Sequence, residues 1–263
     1  MSEINWGYVV SPSLKSTIGE PGLCGTLRPP SDFVLPGVVS SGASAPTIPY
    51  ERWPEMIREQ NESESSLYHI WQRSRIGVLN QGQSSYCWAF SSVAGLMMQR
   101  EMESRPFRRL SPSSVAAPIV GYSDRGYYIE SALEGMRTQG VASDDFVPML
   151  TTRANDFKVG WRDDAKRNRV SIAKSIPRSH QIQGSQLLLG YPLVTALDWW
   201  GHAVLFLAVL DRYPSRPASD YTRYGILFLN SWGTTWGQGG LGVLEYSQQI
   251  ADRSYSLEQS EST

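Results

Sequence analysis

The chain is poor in cysteine, in net charge and in long apolar runs, and each shortage removes a class of function. Only Cys24 and Cys87 occur among 263 residues, so no disulfide framework of the kind that staples small secreted domains is available. The two cysteines do not stand at metal-ligand spacing, and His69, His180 and His202 are scattered. No metal or organic cofactor is therefore implied. A formal net charge of −1 gives no electrostatic case for nucleic acid or an anionic membrane as the main partner. No apolar run reaches membrane-spanning length. The opening M-S-E-I-N-W-G lacks the basic segment and apolar core of a secretory signal, and the expected location is cytoplasmic or otherwise reducing. What is present is 41% hydrophobic and 11% aromatic residues, enough for a sizeable core in one large domain or two small lobes.

Three short segments carry the chemistry. Residues 80–90 read N-Q-G-Q-S-S-Y-C-W-A-F, residues 200–204 read W-G-H-A-V, and residues 229–237 read L-N-S-W-G-T-T-W-G. In chain order they supply an amide donor (Gln81), a nucleophile (Cys87), a base (His202) and an orienting amide (Asn230), the set needed for acyl transfer through a thioester. Residues 87–102 read as a nearly buried helix, and a helix N-terminus favours thiolate over thiol. Each residue also has a plainer reading. Cys87 is then an inert core residue, His202 a core histidine, Asn230 a turn cap, and Trp232 and Trp236 packing aromatics. Four separate packing needs do not explain their joint occurrence in this order.

These segments resemble those of the papain-like cysteine peptidases. The likeness runs over roughly residues 49–246 and is dense near the three motifs. It implies an α+β fold of two lobes, a helical lobe with a central Cys-bearing helix and an antiparallel β-barrel-like lobe, with the active site between them. It also implies that Cys87 attacks, His202 moves the proton, Asn230 holds the imidazole, Trp232 shields that hydrogen bond, and Gln81 with the Cys87 backbone N–H stabilises the oxyanion. Gly126 begins G-Y-Y-I-E-S-A-L, similar to a family segment that lines the substrate groove. Tyr127 falls where that segment carries glycine and narrows the non-primed side. Trp88, Gly126, Tyr127, Trp200, Gly201 and Trp232 are the groove candidates. The positions of the family's first disulfide read Ser84 and Asp124. A Cys24–Cys87 bridge would block the nucleophile, and the reading favours two free thiols. Cys87 and His202 are 115 residues apart, against about 130–150 for the family. The shortfall lies just before His202, where Trp199 and Trp200 replace a longer loop.

Around the motifs, residues 1–48 are rich in Gly, Pro and Ser and read as an extended arm or pro-segment-like region. Short apolar pieces at 8–10 and 33–35 are suited to lie on the body as strands. Residues 49–246 are the catalytic domain. Residues 247–263 read as a polar, loose tail. Two short helices are expected over 53–75, with Ser65 or Ser66 capping the second, and His69 and His180 read as bystanders. Strands are expected at 192–197, 204–210, 224–229 and 241–246. The basic residues between 156 and 182 alternate with acids and read as a solvated face, not a nucleic-acid patch. The functional expectation is a cysteine peptidase or amide hydrolase acting on a peptide or protein, with residues 1–48 in intramolecular contact with the domain. The alternatives are a catalytically weak structural or binding protein on the same scaffold, and a thioester acyl transferase. The lack of signal and staples also suits proteins encoded in bacterial or phage genomes, and a particle-associated role with them.

Overall fold

A computed structural model describes residues 8–10, 27–29, 38–40 and 45–261. The predicted central helix is α3, Cys87–Met102 (α1, Trp53–Glu62, and α2, Leu67–Arg73, precede it). After it come α4, Ser113–Ile119, α5, Ile129–Thr138, α6, Trp161–Lys166, and α7, His180–Leu188. Every residue of α3 from Cys87 to Arg100 is buried, which fits a central helix without a marked polar face. It is flanked by α2, α4 and α5 and rests on the sheet. Gly95 permits that approach, because a Cβ there would lie 2.7 Å from Val194 Cγ2. Ser66 caps α2 by accepting from the His69 N–H, as the sequence suggested.

Among the described residues, seven strands form one sheet in the order β1-β2-β7-β3-β4-β5-β6. They are β1, Val38–Ser40, β2, Arg169–Ile176, β3, Leu193–Leu197, β4, His202–Asp211, β5, Tyr224–Leu229, β6, Leu241–Glu245, and β7, Arg253–Glu261. All neighbouring pairs are antiparallel except β1 and β2, which run parallel. With α3 against one face of a mainly antiparallel sheet and α7 against the other, the molecule is α+β.

The stretch expected to be a loose tail is instead β7, which fills the space between β2 and β3. Tyr255 and Leu257 are buried, and so are Ser254 and Ser256, which alternate with them. Small polar residues at buried positions broke the apolar signal, and Ser254 Oγ is satisfied by Gln183 Nε2 of α7 at 3.0 Å. At the N-terminus, the Val10 N–H donates to Val243 O (2.9 Å) and the Val243 N–H to Tyr8 O (3.0 Å), so this piece lies along β6 as expected. The expected strand at 33–35 falls outside the described residues.

His180 is buried in an aromatic cluster with Tyr50, Trp53, Tyr221 and Tyr224. Its Nδ1 pairs with Tyr50 Oη at 2.9 Å, and burial pushes the imidazole down to about 4. It is a packing residue.

Candidate active site

Gln81, Cys87, His202 and Asn230 come from four parts of the chain and meet at one end of the sheet. Cys87 opens α3, whose N-terminus carries no side-chain cap. His202 opens β4, and Asn230 follows the last residue of β5. The β4–β5 pairing, with Leu205 opposite Leu229, brings base and amide together. His202 Nε2 donates to Asn230 Oδ1 at 2.8 Å. The Ser231 N–H donates to the same oxygen at 2.8 Å, which fixes the amide with its carbonyl towards the imidazole. Nδ1 is then the nitrogen left for proton transfer. Ala203, the next residue, packs on Cys87.

The imidazole lies in an aromatic box. Trp232 covers it with centroids 4.5 Å apart and planes inclined by 31°, and Trp200 meets it edge-on at 4.8 Å. Trp200 in turn touches Trp199, Phe228, Trp232 and Trp236. Trp88, Trp200 and Trp232 are all buried, so they support the site from behind. Gly126, Tyr127 and Gly201 are partly exposed. Tyr127 leans on Trp88 and Tyr128, with Arg125 over its ring.

Gln81 is held at both ends of its amide. Nε2 donates to Ser84 O at 2.7 Å and Oε1 accepts from Ser231 Oγ at 2.5 Å. The backbone repeats the link, with the Gln81 N–H on Ser231 O at 2.8 Å. The glutamine loop is thus fastened to the asparagine loop. Sequence reading gave Ser231 no role, although it stands inside the N-S-W-G motif. The loop after α4 adds a further tie. Asp124 Oδ1 accepts from the Ser85 N–H at 2.7 Å and Ser123 O from Tyr86 Oη at 2.8 Å. A hydrogen-bonded carboxylate therefore stands where the resemblance placed a lost disulfide.

A charged chain beside the site was also missed. Arg253 Nη2 donates to Asp198 Oδ1 at 2.9 Å, and Arg253 Nη1 lies 3.4 Å from Glu130 Oε2. Tyr255 Oη donates to Glu130 Oε1 at 2.7 Å. Asp198 follows β3, Arg253 opens β7 and Glu130 lies in the first turn of α5, so the arginine joins helices to sheet. Its position inside an apparent tail hid it from sequence reading.

Two observations describe the state of the site. Cys87 and His202 are fully buried, and burial pushes His202 down to about 4 although the Asn230 hydrogen bond favours the charged form. Moreover, Cys87 is held in a disulfide. This overturns the expectation of two free thiols. A low cysteine count showed that no staple was needed, but it could not show which sulfurs pair. The chain's other cysteine is Cys24, outside the described residues.

No protein-family model matches the chain. Among curated proteins it is 25% identical to cathepsin K of Mus musculus over 192 residues, 66% of this chain and 57% of that protein. It is 26% identical to the senescence-specific cysteine protease SAG39 of Oryza sativa subsp. indica over 200 residues, 67% of this chain and 55% of that protein. The chain thus spans little more than half the length of these relatives. Among solved structures, digestive procathepsin L 3 of Tenebrio molitor larval midgut superposes with a TM-score of 0.60 at 16% identity, over 95% of this chain and 79% of that one. Xylellain, a cysteine protease from Xylella fastidiosa, gives 0.59 at 15% identity, over 92% and 98%. At such identities the structures speak for the fold alone. Its homologues are papain-like cysteine proteases, and it shares their fold.

Proposed function

We propose that the chain is a cysteine peptidase that works through a thioester at Cys87. The observation that carries this reading is the 2.8 Å His202–Asn230 hydrogen bond, which leaves the other imidazole nitrogen for the nucleophile at the start of α3. In the reduced protein, the Cys87 proton passes to His202 and the thiolate attacks the scissile carbonyl. Charge develops on the carbonyl oxygen. The donors for it are the Cys87 backbone N–H and Gln81 Nε2, which carries two hydrogens and is anchored through Ser84 O. Collapse of the tetrahedral species expels the amine, which takes its proton from His202. Water, deprotonated by His202, then releases the acid and regenerates the thiol. Trp232 keeps water from the imidazole–amide pair, which strengthens it.

The full burial of Cys87 and His202 favours a second reading, a binding protein on a peptidase scaffold. Alkylation of reduced protein against pH separates the two. The expected result is labelling of Cys87 that persists well below the ordinary thiol pKa of ~8.5 and is lost in His202→Ala. Cleavage of unfolded casein should accompany it and vanish in Cys87→Ala. Labelling that rises only near the ordinary thiol value, with casein intact, would favour the binding protein.

A further inference from the structure

A cavity of about 10 Å³ lies between α3, the start of β4 and the end of β5. Ser91, Asn230 and Ser231 line it among apolar side chains such as Phe90, Ala203 and Leu229. Ser231 is engaged elsewhere, with its hydroxyl on Gln81 Oε1 and its N–H on Asn230 Oδ1. The other two polar side chains are not. Asn230 Nδ2 and Ser91 Oγ have no hydrogen-bond partner among the described residues, although the two residues are only 2% and 3% exposed.

Neither group can be relieved by a simple turn. The Asn230 amide is fixed, because Oδ1 already accepts from His202 Nε2 and from the Ser231 N–H. Ser91 has an outlet that it does not take. Its neighbour Ser92 donates to Trp88 O, one turn back, at 2.7 Å, a common bond for a serine inside a helix. Ser91 has Cys87 O at the same offset and makes no such bond. Orphaned polar groups are costly when buried. The space they line is close to the 10–15 Å³ or so that one water needs, and two polar partners meet the minimum for holding it.

We propose that this cavity is a site for one buried water, which accepts from Asn230 Nδ2 and is bonded to Ser91 Oγ, and that Ser91 is thereby a positioning residue for the Asn230 amide. Asn230 is then held on both sides, by His202 and Ser231 through Oδ1 and by α3 through Nδ2. Ser91 stands one turn after Cys87, so the helix that presents the nucleophile also steadies the group that orients the base. The effect on rate rests on the peptidase reading, whereas the water and its tie to the amide do not. A serine that merely packs predicts a different outcome. Alanine is the better helix former and removes an orphaned hydroxyl, so Ser91→Ala would then be as active as wild type.

The test begins with the wild-type chain. A high-resolution crystal structure should show one ordered water within hydrogen-bond distance of both Asn230 Nδ2 and Ser91 Oγ. A dry cavity, or a direct bond between the two side chains, would overturn the proposal. In reduced Ser91→Ala, the His202 Nε2 proton, which the Asn230 bond shelters, should exchange with solvent about three- to tenfold faster by NMR, the factor that one ordinary hydrogen bond commands. Iodoacetamide labelling of Cys87 below the ordinary thiol range, and kcat on a peptide substrate, should fall by the same factor with KM unchanged. Unchanged exchange with unchanged labelling would make Ser91 a packing residue and end the proposal. The two readings fail separately. Faster exchange in the variant, with a wild type that neither labels at low pH nor cleaves casein, upholds the water tie and refutes the peptidase. Low-pH labelling and casein cleavage alike in both proteins, with exchange unchanged, do the reverse. The crystal structure needs no variant, so a misfolded Ser91→Ala leaves it decisive.

Discussion

At the scale of single residues, the site depends on side chains whose partners are fixed by the fold. Gln81→Ala in the reduced protein should lower kcat by about 10²-fold or more with a smaller change in KM, because the donor acts on charge that exists only in the transition state. Steady-state kinetics on a peptide substrate would check the split, and a loss confined to KM would refute the oxyanion role. The histidines make a pH prediction. His180 and His202 are both held near 4 in the folded chain, below the ordinary 6.5, chiefly by burial. The unfolded chain therefore binds more protons between those values. Stability is complete above about pH 6.5 and falls as pH drops towards 4, by on the order of 3 kcal/mol per histidine. Urea unfolding at pH 7.5 and 4.5 should show His180→Gln losing less than wild type, and an equal loss would contradict this. The residue types proposed for catalysis were legible because they lie in short motifs. The clasp on Gln81 was not, since Ser231 lies 150 residues away and only the fold brings the two loops together.

Elements were legible where one periodicity dominated. The largely apolar α3 and the buried runs of β3, β4, β5 and β6 announce themselves. β7 does not, because its pairing with β2 and β3 is long-range and its buried serines read as surface. Two predictions belong here. Ending the chain after Asp252 should abolish cooperative unfolding, because β2 and β3 each lose a partner, and circular dichroism against temperature would show it. At Gly184 in α7, helix propensity favours alanine by about 1 kcal/mol. A Cβ there would stand 2.2 Å from Trp53 Cη2, and Trp53 is fully buried with its Nε1 on Ile48 O. Overpacking costs about 1–3 kcal/mol, so Gly184→Ala should lower Tm by several degrees, and a raised Tm would show that Trp53 yields.

On the scale of the whole molecule, helices and sheet are joined through Arg253, whose side chain is 13% exposed against 4% for Glu130. Arg253→Met leaves the Glu130 carboxylate buried beside Tyr255 without its cation, and should cost about 3 kcal/mol or more. The double variant with Glu130→Gln should regain much of it, and denaturant midpoints of both would tell. The same arginine seats Leu27 of the arm. No local pattern announces this arrangement, because its members come from an N-terminal arm, a helix start, a strand turn and a C-terminal strand.

The place of β7 also bears on how the protein is made. The strand that completes the middle of the sheet is synthesised after the six others. A nascent chain that has reached only Asp252 holds α3 and its cysteine, but β2 and β3 have open edges facing one another. Such edges invite pairing with other chains. Translation must therefore pass β7 before α3 acquires a finished bed, and until then the sheet that carries His202 is open at its middle.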